Sequence, residues 1–175
     1  MRVLLAGAAA MLAASFAFAQ SPAATESKAI GGKTITIKYS SPRVRGRAGK
    51  LFGKDGSIGQ DETYPVWRAG ANAATALHTD ADLTIGNLNV PKGDYTLYVD
   101  LTDPNNWVLI VNKQTGQAGT DYDKSKDLGR VKMTMSKPPA LVEELKYTIA
   151  SSGGNKGTLT LAWENHAASA PITVK

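Results

Sequence analysis

Apolar and polar residues alternate with a period of two along most of the chain after residue 32. In the first such run, Ile35, Ile37 and Tyr39 fall on one side of an extended chain and the residues between them fall on the other. This alternation is typical of a β-strand with one buried face. It returns in later segments that we predict to be strands: residues 83–85, 95–101, 131–135, 145–149, 159–163 and 172–174.

Residues that favour turns separate these runs, at 53–56, 91–94, 103–106 and 152–155, and each group pre-sets or tolerates turn dihedrals. We interpret residues 90–97 as the start of a hairpin, and residues 107–111, which are apolar on both faces, as a central strand. Roughly nine or ten short strands joined in this way predict an all-β fold, a β-sandwich or jelly roll, with a closed barrel as the competing geometry. No segment predicts a helix.

The first 19 residues have the features of a secretory signal peptide. Arg2 supplies a positive charge, residues 3–16 are almost wholly apolar, and Ala-Phe-Ala at 17–19 fits a cleavage site. An apolar run of roughly 14 residues is shorter than the ~20 that a membrane-spanning helix needs. We therefore expect a periplasmic or secreted protein without a membrane span.

Cleavage after residue 19 leaves 175 − 19 = 156 residues, which suits one domain. Residues 20–32, rich in Ala, Ser, Thr and Gly, predict a flexible leader that does not pack, and residues 33–175 a single β-sandwich domain. The formal charge falls from +5 to +4 when Arg2 is removed. Because this charge is spread along the chain, we expect no nucleic-acid partner, and we expect a monomer.

The chain has no cysteine, so its stability must come from a packed core. Its two histidines, His78 and His166, stand far apart and in no zinc-binding pattern. Neither a Gly-x-Ser-x-Gly motif nor a complete phosphate-binding loop occurs. Asp121, Asp123 and Asp127 resemble part of a calcium loop but lack its glycine and its closing glutamate. We therefore expect a solvated acidic loop, no metal and no cofactor.

Residues 64–75 form the stretch around which we expect the fold to be arranged. Gly70 and Asn72 tolerate backbone dihedrals that most residues avoid, so the chain can turn sharply here. Trp67 can lie exposed, where a ligand could stack on it, or buried in the core. Arg68 can anchor a ligand or form a buried ion pair.

Arg43, Arg45 and Arg47 occupy alternate positions. In an extended chain such residues share one face about 6.5–7 Å apart, so their guanidiniums can form a ladder that grips a carboxylate, sulfate or phosphate. The same side chains can instead pair with Asp61, Glu62 or the aspartates of a later loop, and we favour this structural role. Asp61 and Glu62 are adjacent on an extended chain and face opposite sides, so they do not form a catalytic pair.

Seven segments carry a resemblance to known proteins: Ser-Pro-Arg at 41–43, Val-Trp-Arg-Ala-Gly-Ala-Asn-Ala-Ala-Thr at 66–75, Pro-Lys-Gly-Asp-Tyr-Thr-Leu at 91–97, Trp-Val-Leu-Ile-Val-Asn-Lys at 107–113, Tyr-Asp at 122–123, Asp-Leu-Gly-Arg-Val at 127–131 and Leu-Ala-Trp-Glu at 161–164. Their combination is similar to domain-of-unknown-function family 2911, whose members are secreted bacterial β-proteins. The similarity spans about residues 35–174. It implies no activity, because the family has none assigned.

The sequence departs from that resemblance at two positions. Family members often carry Glu where Ala73 stands and Trp where Ala118 stands. An acid role at position 73 is therefore excluded in this chain.

Two functions from different classes remain open. The first is a non-catalytic binding module for a small anionic or glycan ligand, with the candidate ligand-binding residues Arg43, Trp67, Arg68, Asn72, Lys113, Tyr122, Asp123 and Arg130. The second is a hydrolase-type enzyme built on Asp123, Asp127 and Lys113; a structural role in the cell envelope is a third. We favour binding, because Arg, Trp and Asn are recognition residues and no activated nucleophile is visible.

Four of the candidate residues lie at predicted turns and strand ends. We expect Arg43, Arg68, Asn72 and Arg130 to form one polar cluster at the edge of a sheet.

Overall fold

The computed structural model describes residues 20–175 of the chain. Those residues form thirteen β-strands in two antiparallel sheets, with two three-residue 3-10 segments, Ile58–Gln60 and Lys124–Lys126. The all-β prediction is confirmed. The predicted signal peptide at 1–19 lies outside the described residues. Within them, no helix has the length and apolar character that crossing a membrane requires.

The first sheet has seven strands: β1 (Ala23–Ile30), β2 (Lys33–Ser40), β3 (Val66–Trp67), β4 (Thr75–Thr79), β7 (Gly93–Asp100), β8 (Val108–Asn112) and β9 (Asp127–Lys132). The second sheet has six: β5 (Leu83–Ile85), β6 (Leu88–Val90), β10 (Thr134–Ser136), β11 (Val142–Gly153), β12 (Lys156–Glu164) and β13 (His166–Val174). The strand order is β1-β2-β4-β7-β8-β9 in the first sheet, where β3 also pairs with β7, and β11-β12-β13-β5-β6 in the second, where β10 also pairs with β13.

A single core fills the space between the two sheets. Ile37, Leu97 and Leu109 of the first sheet and Leu161 and Ile172 of the second belong to one cluster of buried apolar residues, each at most 2 % exposed. Their alternation with outward-facing residues is the pattern read from the sequence. This packing of one sheet on another is the β-sandwich arrangement.

The flexible leader predicted for residues 20–32 is wrong. Residues Ala23–Ile30 form β1, which pairs with β2 continuously from Ala23 opposite Ser40 to Ile30 opposite Lys33. Most side chains of β1 are exposed, but Ile30 lies in the core. Backbone hydrogen bonds hold this strand, and they leave no hydropathy signal in the sequence.

Residues 90–97 lead into a hairpin, as predicted, because β7 pairs antiparallel with the next strand of the chain, β8. β6 ends at Val90 and pairs with β5 in the second sheet, whereas β7 begins at Gly93 and pairs with β4 and β8 in the first. The turn between them therefore carries the chain from one sheet to the other.

The loop between β8 and β9 covers the outer face of the first sheet. β8 lies between β7 and β9, as predicted for a central strand. Tyr98 on β7 and Ile110 on β8 belong to a small cluster separate from the main core, yet both are fully buried. Tyr122 of the loop packs on this cluster, and its ring centroid lies 5.0 Å from that of Tyr98. The covering loop thus explains why these central strands are apolar on both faces.

Candidate functional site

Residues 64–75 direct an aromatic side chain into the core and an arginine outward. β3 pairs with β7, so that Val66 lies opposite Asp100 and Trp67 opposite Val99. Successive residues of a strand face opposite sides. Trp67 accordingly packs in the main core, 2 % exposed, while Arg68 is only partly buried. Only a small part of the Trp67 ring is left for a ligand.

The turn predicted at Gly70 and Asn72 is present with a different geometry. Asn72 has a left-handed φ of 58°, but the other left-handed residue is Ala69, with φ 45°, and not Gly70. Gly70 is needed for space, because a Cβ there would lie 2.8 Å from Oγ1 of Thr75 and 3.3 Å from the carbonyl oxygen of Ser40. Close approach of two backbone segments is the second common reason for a glycine.

Arg68 forms an ion pair with Asp61. Its Nη2 donates to Oδ2 of Asp61 at 2.9 Å, and the two side chains are 21% and 25% exposed. The stem of Arg68 packs against Gly119 of the covering loop, where an added Cβ would approach Cδ of Arg68 to 2.5 Å. The backbone N–H of Gly119 donates to the carbonyl oxygen of Asn72 at 3.1 Å. Arg68 and Asn72 therefore both help to fix the loop on the sheet.

The three arginines after β2 do not form a strand ladder. Arg43 makes an isolated β-bridge to Glu144, but Arg45 and Gly46 form a turn with positive φ values of 49° and 71°. Alternation on one face needs an extended chain, which this turn interrupts. The turn nevertheless brings all three arginines to the wall of one small pocket of about 70 Å³. We name it the arginine pocket.

The partners of these arginines are not the acids that the sequence analysis named. Arg43 forms an ion pair with Glu144. Arg47 donates from Nε to the carbonyl oxygen of Val44 at 3.0 Å and from Nη2 to that of Arg43 at 2.7 Å. Across residues 20–175, neither Arg45 nor Arg47 forms an ion pair with a carboxylate. The guanidiniums of Arg45 and Arg47 are therefore not ion-paired, while the carboxylate of Glu143 accepts a hydrogen bond from the backbone N–H of Arg45 at 2.9 Å.

A larger groove of about 310 Å³ adjoins the arginine pocket. Ser21, Pro42 and Arg47 line both cavities. Its other lining residues include Asp61, Trp67, Arg68, Asn72 and Trp163. We name it the tryptophan groove. Because both indoles are almost fully buried, its polar side chains determine what it can bind.

Arg130 and Tyr122 lie in a hydrogen-bonded network at the β9 edge of the first sheet. Arg130 donates to Oδ2 of Asp100 at 2.8 Å, to Oδ2 of Asp127 at 3.1 Å and to the hydroxyl of Tyr122 at 2.9 Å. Tyr122 donates to Oδ2 of Asp127 at 2.8 Å. Burial and this bond raise the pKa of Tyr122 to about 12. Burial acts to raise the pKa of Asp100 as well, but hydrogen bonds from Thr102 and Arg130 hold that pKa below its usual value.

The acids considered for catalysis are engaged in loop structure. Asn112 donates to Oδ1 of Asp127 at 2.9 Å, in addition to the bonds from Arg130 and Tyr122. Oδ1 of Asp123 accepts from the hydroxyl of Ser125 at 2.7 Å and from its backbone N–H at 2.9 Å, and these bonds lower the pKa of Asp123. Lys113, the third candidate, is exposed.

The prediction of one polar cluster is wrong. Within the described part of the chain, no hydrogen bond or ion pair joins any two of Arg43, Arg68, Asn72 and Arg130. Arg43 lines the arginine pocket, Arg68 and Asn72 line the tryptophan groove, and Arg130 belongs to the network with Tyr122. The reason is topological: Arg43 follows β2, whereas Arg130 lies on β9, at the far edge of the sheet.

An aromatic cluster surrounds Phe52, and no pattern in the sequence predicts it. The centroid of the Phe52 ring lies 5.5 Å from that of Trp67, 5.0 Å from Trp107, 5.9 Å from Trp163 and 4.6 Å from His166. All three tryptophans of the chain are therefore in one cluster. They come from distant parts of the sequence, so no local pattern connects them.

His166 brings a buried acid to this cluster. Its Nδ1 lies 3.1 Å from Oε2 of Glu164, whose side chain is 2 % exposed. Glu164 and Asn165 form the turn between β12 and β13, where Trp163 pairs with His166. A turn at residues 164–165 was the only feature of the sequence that could have indicated the contact between Glu164 and His166.

The second histidine, His78, lies on the exposed face of β4. Its Nδ1 is 2.7 Å from Oδ1 of Asp94 and its Nε2 is 3.1 Å from Oδ1 of Asp80. The hydrogen bonds to Asp94 and Asp80 raise the pKa of His78. The described residues contain no group of three or more acidic, histidine or cysteine side chains placed to hold a metal ion.

Ala73 and Ala118 face each other in an isolated antiparallel bridge. They are the two positions at which the sequence departs from the resemblance described above, and both are exposed. The two positions that differ from the family are therefore neighbours in space, where the covering loop contacts the stretch 64–75.

Comparison with known proteins confirms the resemblance. The family described as "Protein of unknown function (DUF2911)" matches residues 21–172. Neither the curated proteins nor the solved structures contain a match.

Proposed function

The chain belongs to the DUF2911 family, and on that premise we propose that it is a non-catalytic binding module for a small anionic, carbohydrate-like ligand. We propose further that it acts after export, in the periplasm or outside the cell. The export proposal rests on the pattern of residues 1–19.

One observation carries the binding proposal: Arg43, Arg45 and Arg47 line a single pocket of about 70 Å³. One molecule of liquid water occupies about 30 Å³. A pocket of about 70 Å³ therefore suits one small oxyanion group. A guanidinium can donate two parallel hydrogen bonds to a carboxylate, sulfate or phosphate. Because the guanidiniums of Arg45 and Arg47 form no ion pair among residues 20–175, both remain able to donate hydrogen bonds to an anion there.

The tryptophan groove extends this pocket toward polar side chains that suit hydroxyl groups. Arg47 lines both cavities, so one ligand can reach from one to the other. Asp61 supplies carboxylate acceptors, and Asn72 supplies both a donor and an acceptor. We propose that the acid group of an acidic sugar occupies the arginine pocket and that its hydroxyls lie along the groove.

The loop acids support the non-catalytic part of the proposal. A general base must be free to reach a proton of the substrate. Asp127 instead accepts bonds from Asn112, Tyr122 and Arg130, and Asp123 caps the turn at Ser125.

Thermal unfolding with glucuronate, at constant ionic strength and with glucose as the neutral comparison, tests the binding proposal. A ligand that binds only the native state stabilises it by about 2.7 kcal/mol at 100 times its Kd. We expect glucuronate to raise Tm saturably and glucose to raise it less. Mature protein carrying Arg45→Gln and Arg47→Gln should lose the response.

A control variant with Lys124→Gln and Lys126→Gln removes the same two charges from an exposed turn far along the chain. It should keep the response to glucuronate. An equal Tm rise with glucuronate and glucose, or an equal loss in both double variants, would contradict the proposal. The mass of the exported protein tests export separately, since we expect a chain that begins at Gln20.

A further inference from the structure

A third cavity of about 200 Å³ lies beside the aromatic cluster. It shares no lining residue with the arginine pocket or the tryptophan groove. Its walls are mostly apolar and include Phe52, Tyr64, Leu101, Pro104 and Trp107. We name it the aromatic cavity. An enclosed cavity of about 150 Å³ is already large enough for benzene, so a single ring fits here.

His166 lies in the wall of this cavity, which also includes the polar side chains of Lys54 and Thr102. Its ring stacks on that of Trp107, with centroids 5.5 Å apart and planes 16° apart. Nδ1 is buried, while 32% of the side chain is exposed. The exposed part is therefore the opposite edge of the ring, which carries Nε2.

Glu164 holds the buried edge of His166. Oε2 of Glu164 lies 3.1 Å from Nδ1, but the two atoms form no hydrogen bond, and the buried Nδ1 has no hydrogen-bond partner among residues 20–175. Glu164 also accepts a hydrogen bond from the backbone N–H of Gly49. The buried edge of the imidazole thus lies against a carboxylate that is itself fixed by the backbone of Gly49.

The backbone at Glu164 is strained. Its φ is 56°, in the first position of a two-residue hairpin turn, which glycine usually occupies. A buried carboxylate at such a position destabilises the fold in two ways: the backbone dihedrals are unfavourable, and the charge is removed from water. Strain of this kind is concentrated at functional sites. A glycine would relieve it but would leave His166 without its partner.

Lys54 supplies a second nitrogen-bearing side chain near His166 in the lining of the cavity. It is exposed and forms no ion pair within residues 20–175. Lys54 and His166 both line the same cavity. Two nitrogen groups beside an apolar cavity suit a ligand that has a flat apolar body and one acid group.

We propose that the aromatic cavity binds a small aromatic carboxylate. The ring of the ligand lies against Phe52 and Trp107, where offset or edge-to-face contacts between aromatic rings are favourable. Its carboxylate meets Lys54 and Nε2 of His166. Glu164 is a positioning residue that acts through His166. The site is independent of the acidic-sugar site proposed above.

Benzoate is the probe for this proposal, and benzyl alcohol is the uncharged comparison. Tryptophan fluorescence and calorimetric titration on the mature protein should show saturable binding of benzoate, at least tenfold tighter than that of benzyl alcohol. Lys54→Gln alters an exposed side chain, so the variant should fold, and it should weaken benzoate binding at least tenfold. Lys50→Gln, a neighbouring exposed lysine that does not line the cavity, should change the Kd less than twofold.

The two histidines of the chain provide an internal control by NMR. Benzoate should shift the imidazole signals of His166 and leave those of His78 unchanged. In Glu164→Gln, a near-isosteric change, the shift of the His166 signals at saturation should be altered, and benzoate binding should be weaker even where the variant melts like wild type.

Non-saturable benzoate signals, equal affinity for benzyl alcohol, or unchanged binding in Lys54→Gln would each overturn the proposal. The variant with Arg45→Gln and Arg47→Gln separates the two sites. It should bind benzoate like wild type. A failed test of the acidic-sugar site therefore does not change the conclusion about benzoate binding, and a failed benzoate test does not change the conclusion about the acidic-sugar site.

Discussion

Nη2 of Arg68 lies 2.9 Å from Oδ2 of Asp61, and this ion pair fixes the stretch 64–75 to the turn that precedes it. The side chains are 21% and 25% exposed. The pair therefore lies between a fully exposed salt bridge, which contributes roughly 0–1 kcal/mol, and a buried one, whose disruption costs about 3–5 kcal/mol.

We expect Arg68→Ala to lower the free energy of unfolding by about 1–3 kcal/mol. The change leaves the covered carboxylate of Asp61 without its partner and removes the contact of the Arg68 stem with Gly119. Urea denaturation at neutral pH measures the effect. Because the two residues interact directly, the double variant with Asp61→Asn should cost less than the sum of the single variants.

The glucuronate response of the same variant separates the roles of Arg68. A variant that is less stable and loses the response has lost both a structural and a ligand contact. Normal unfolding with loss of the response would make Arg68 a ligand contact alone. If unfolding and response are both normal, the prediction is wrong and Arg68 is an ordinary surface arginine.

Strands that bury one face were predictable from the sequence, and strands held mainly by their backbone were not. The run Ile35, Ile37 and Tyr39 alternates because one face of β2 meets the core. β1 has eight residues of mostly exposed side chains and was predicted as a flexible leader. Its position depends on pairing with β2, and that pairing is not visible in hydropathy.

Tyr122 should make stability depend on alkaline pH. Burial and the bond to Asp127 raise its pKa from 10.0 to about 12 in the folded protein. A raised pKa contributes stability that is complete below the unfolded pKa and is lost as the pH rises through the folded pKa. We expect the free energy of unfolding to fall more steeply between pH 10 and 12 in wild type than in Tyr122→Phe.

Urea denaturation of both proteins at pH 8, 10 and 11 checks this expectation. At pH 8 the Tyr122→Phe variant should be less stable by about 1–2 kcal/mol, since it loses a hydrogen bond to a charged group. Other tyrosines titrate equally in both proteins and cancel in the comparison. Parallel curves over the whole pH range would mean that Tyr122 has an ordinary pKa.

The proton affinity of His78 should be set by the two acids beside it. Hydrogen bonds to Asp94 and Asp80 raise its pKa above the usual 6.5. NMR titration should therefore place the midpoint of His78 above that value, and Asp94→Asn should move it back toward 6.5. A wild-type midpoint at or below 6.5 would contradict the arrangement.

The sign of the linked stability effect follows from the raised pKa of His78. The contribution is complete below the unfolded pKa and is lost as the pH rises through the higher folded value. Because the ring is 48% exposed, solvent screens these contacts, and we expect only a small change in stability across this range.

The candidate site was predictable only where its residues are close in sequence. Arg43, Arg45 and Arg47 stand within five positions, so their spacing identified them, although the turn at Gly46 interrupts the expected ladder. Gly49 and Glu164 are 115 positions apart. Their contact joins the loop after β2 to the turn between β12 and β13, and it leaves no trace in local sequence patterns.

Gly70 distinguishes two explanations for a glycine in the stretch 64–75. The sequence predicted a residue that tolerates unusual backbone dihedrals at a sharp turn, whereas the structure shows a shortage of space for a side chain. An added Cβ would lie 2.8 Å from Oγ1 of Thr75. That hydroxyl is buried and donates to the carbonyl oxygens of Arg68 at 3.1 Å and Ala69 at 3.2 Å, so it cannot move without losing those bonds.

We expect Gly70→Ala to lower the free energy of unfolding by about 1–3 kcal/mol, the usual cost of overpacking. Thr75→Ala removes the obstructing hydroxyl, so the double variant should be more stable than the sum of the two single changes by at least about 0.5 kcal/mol. Thr75→Ser keeps the hydroxyl and should give no such rescue. Backbone strain at position 70 would instead make the cost of Gly70→Ala the same in all three backgrounds, because a change at Thr75 does not relax φ. Urea denaturation of these variants therefore decides whether the glycine serves conformation or close approach.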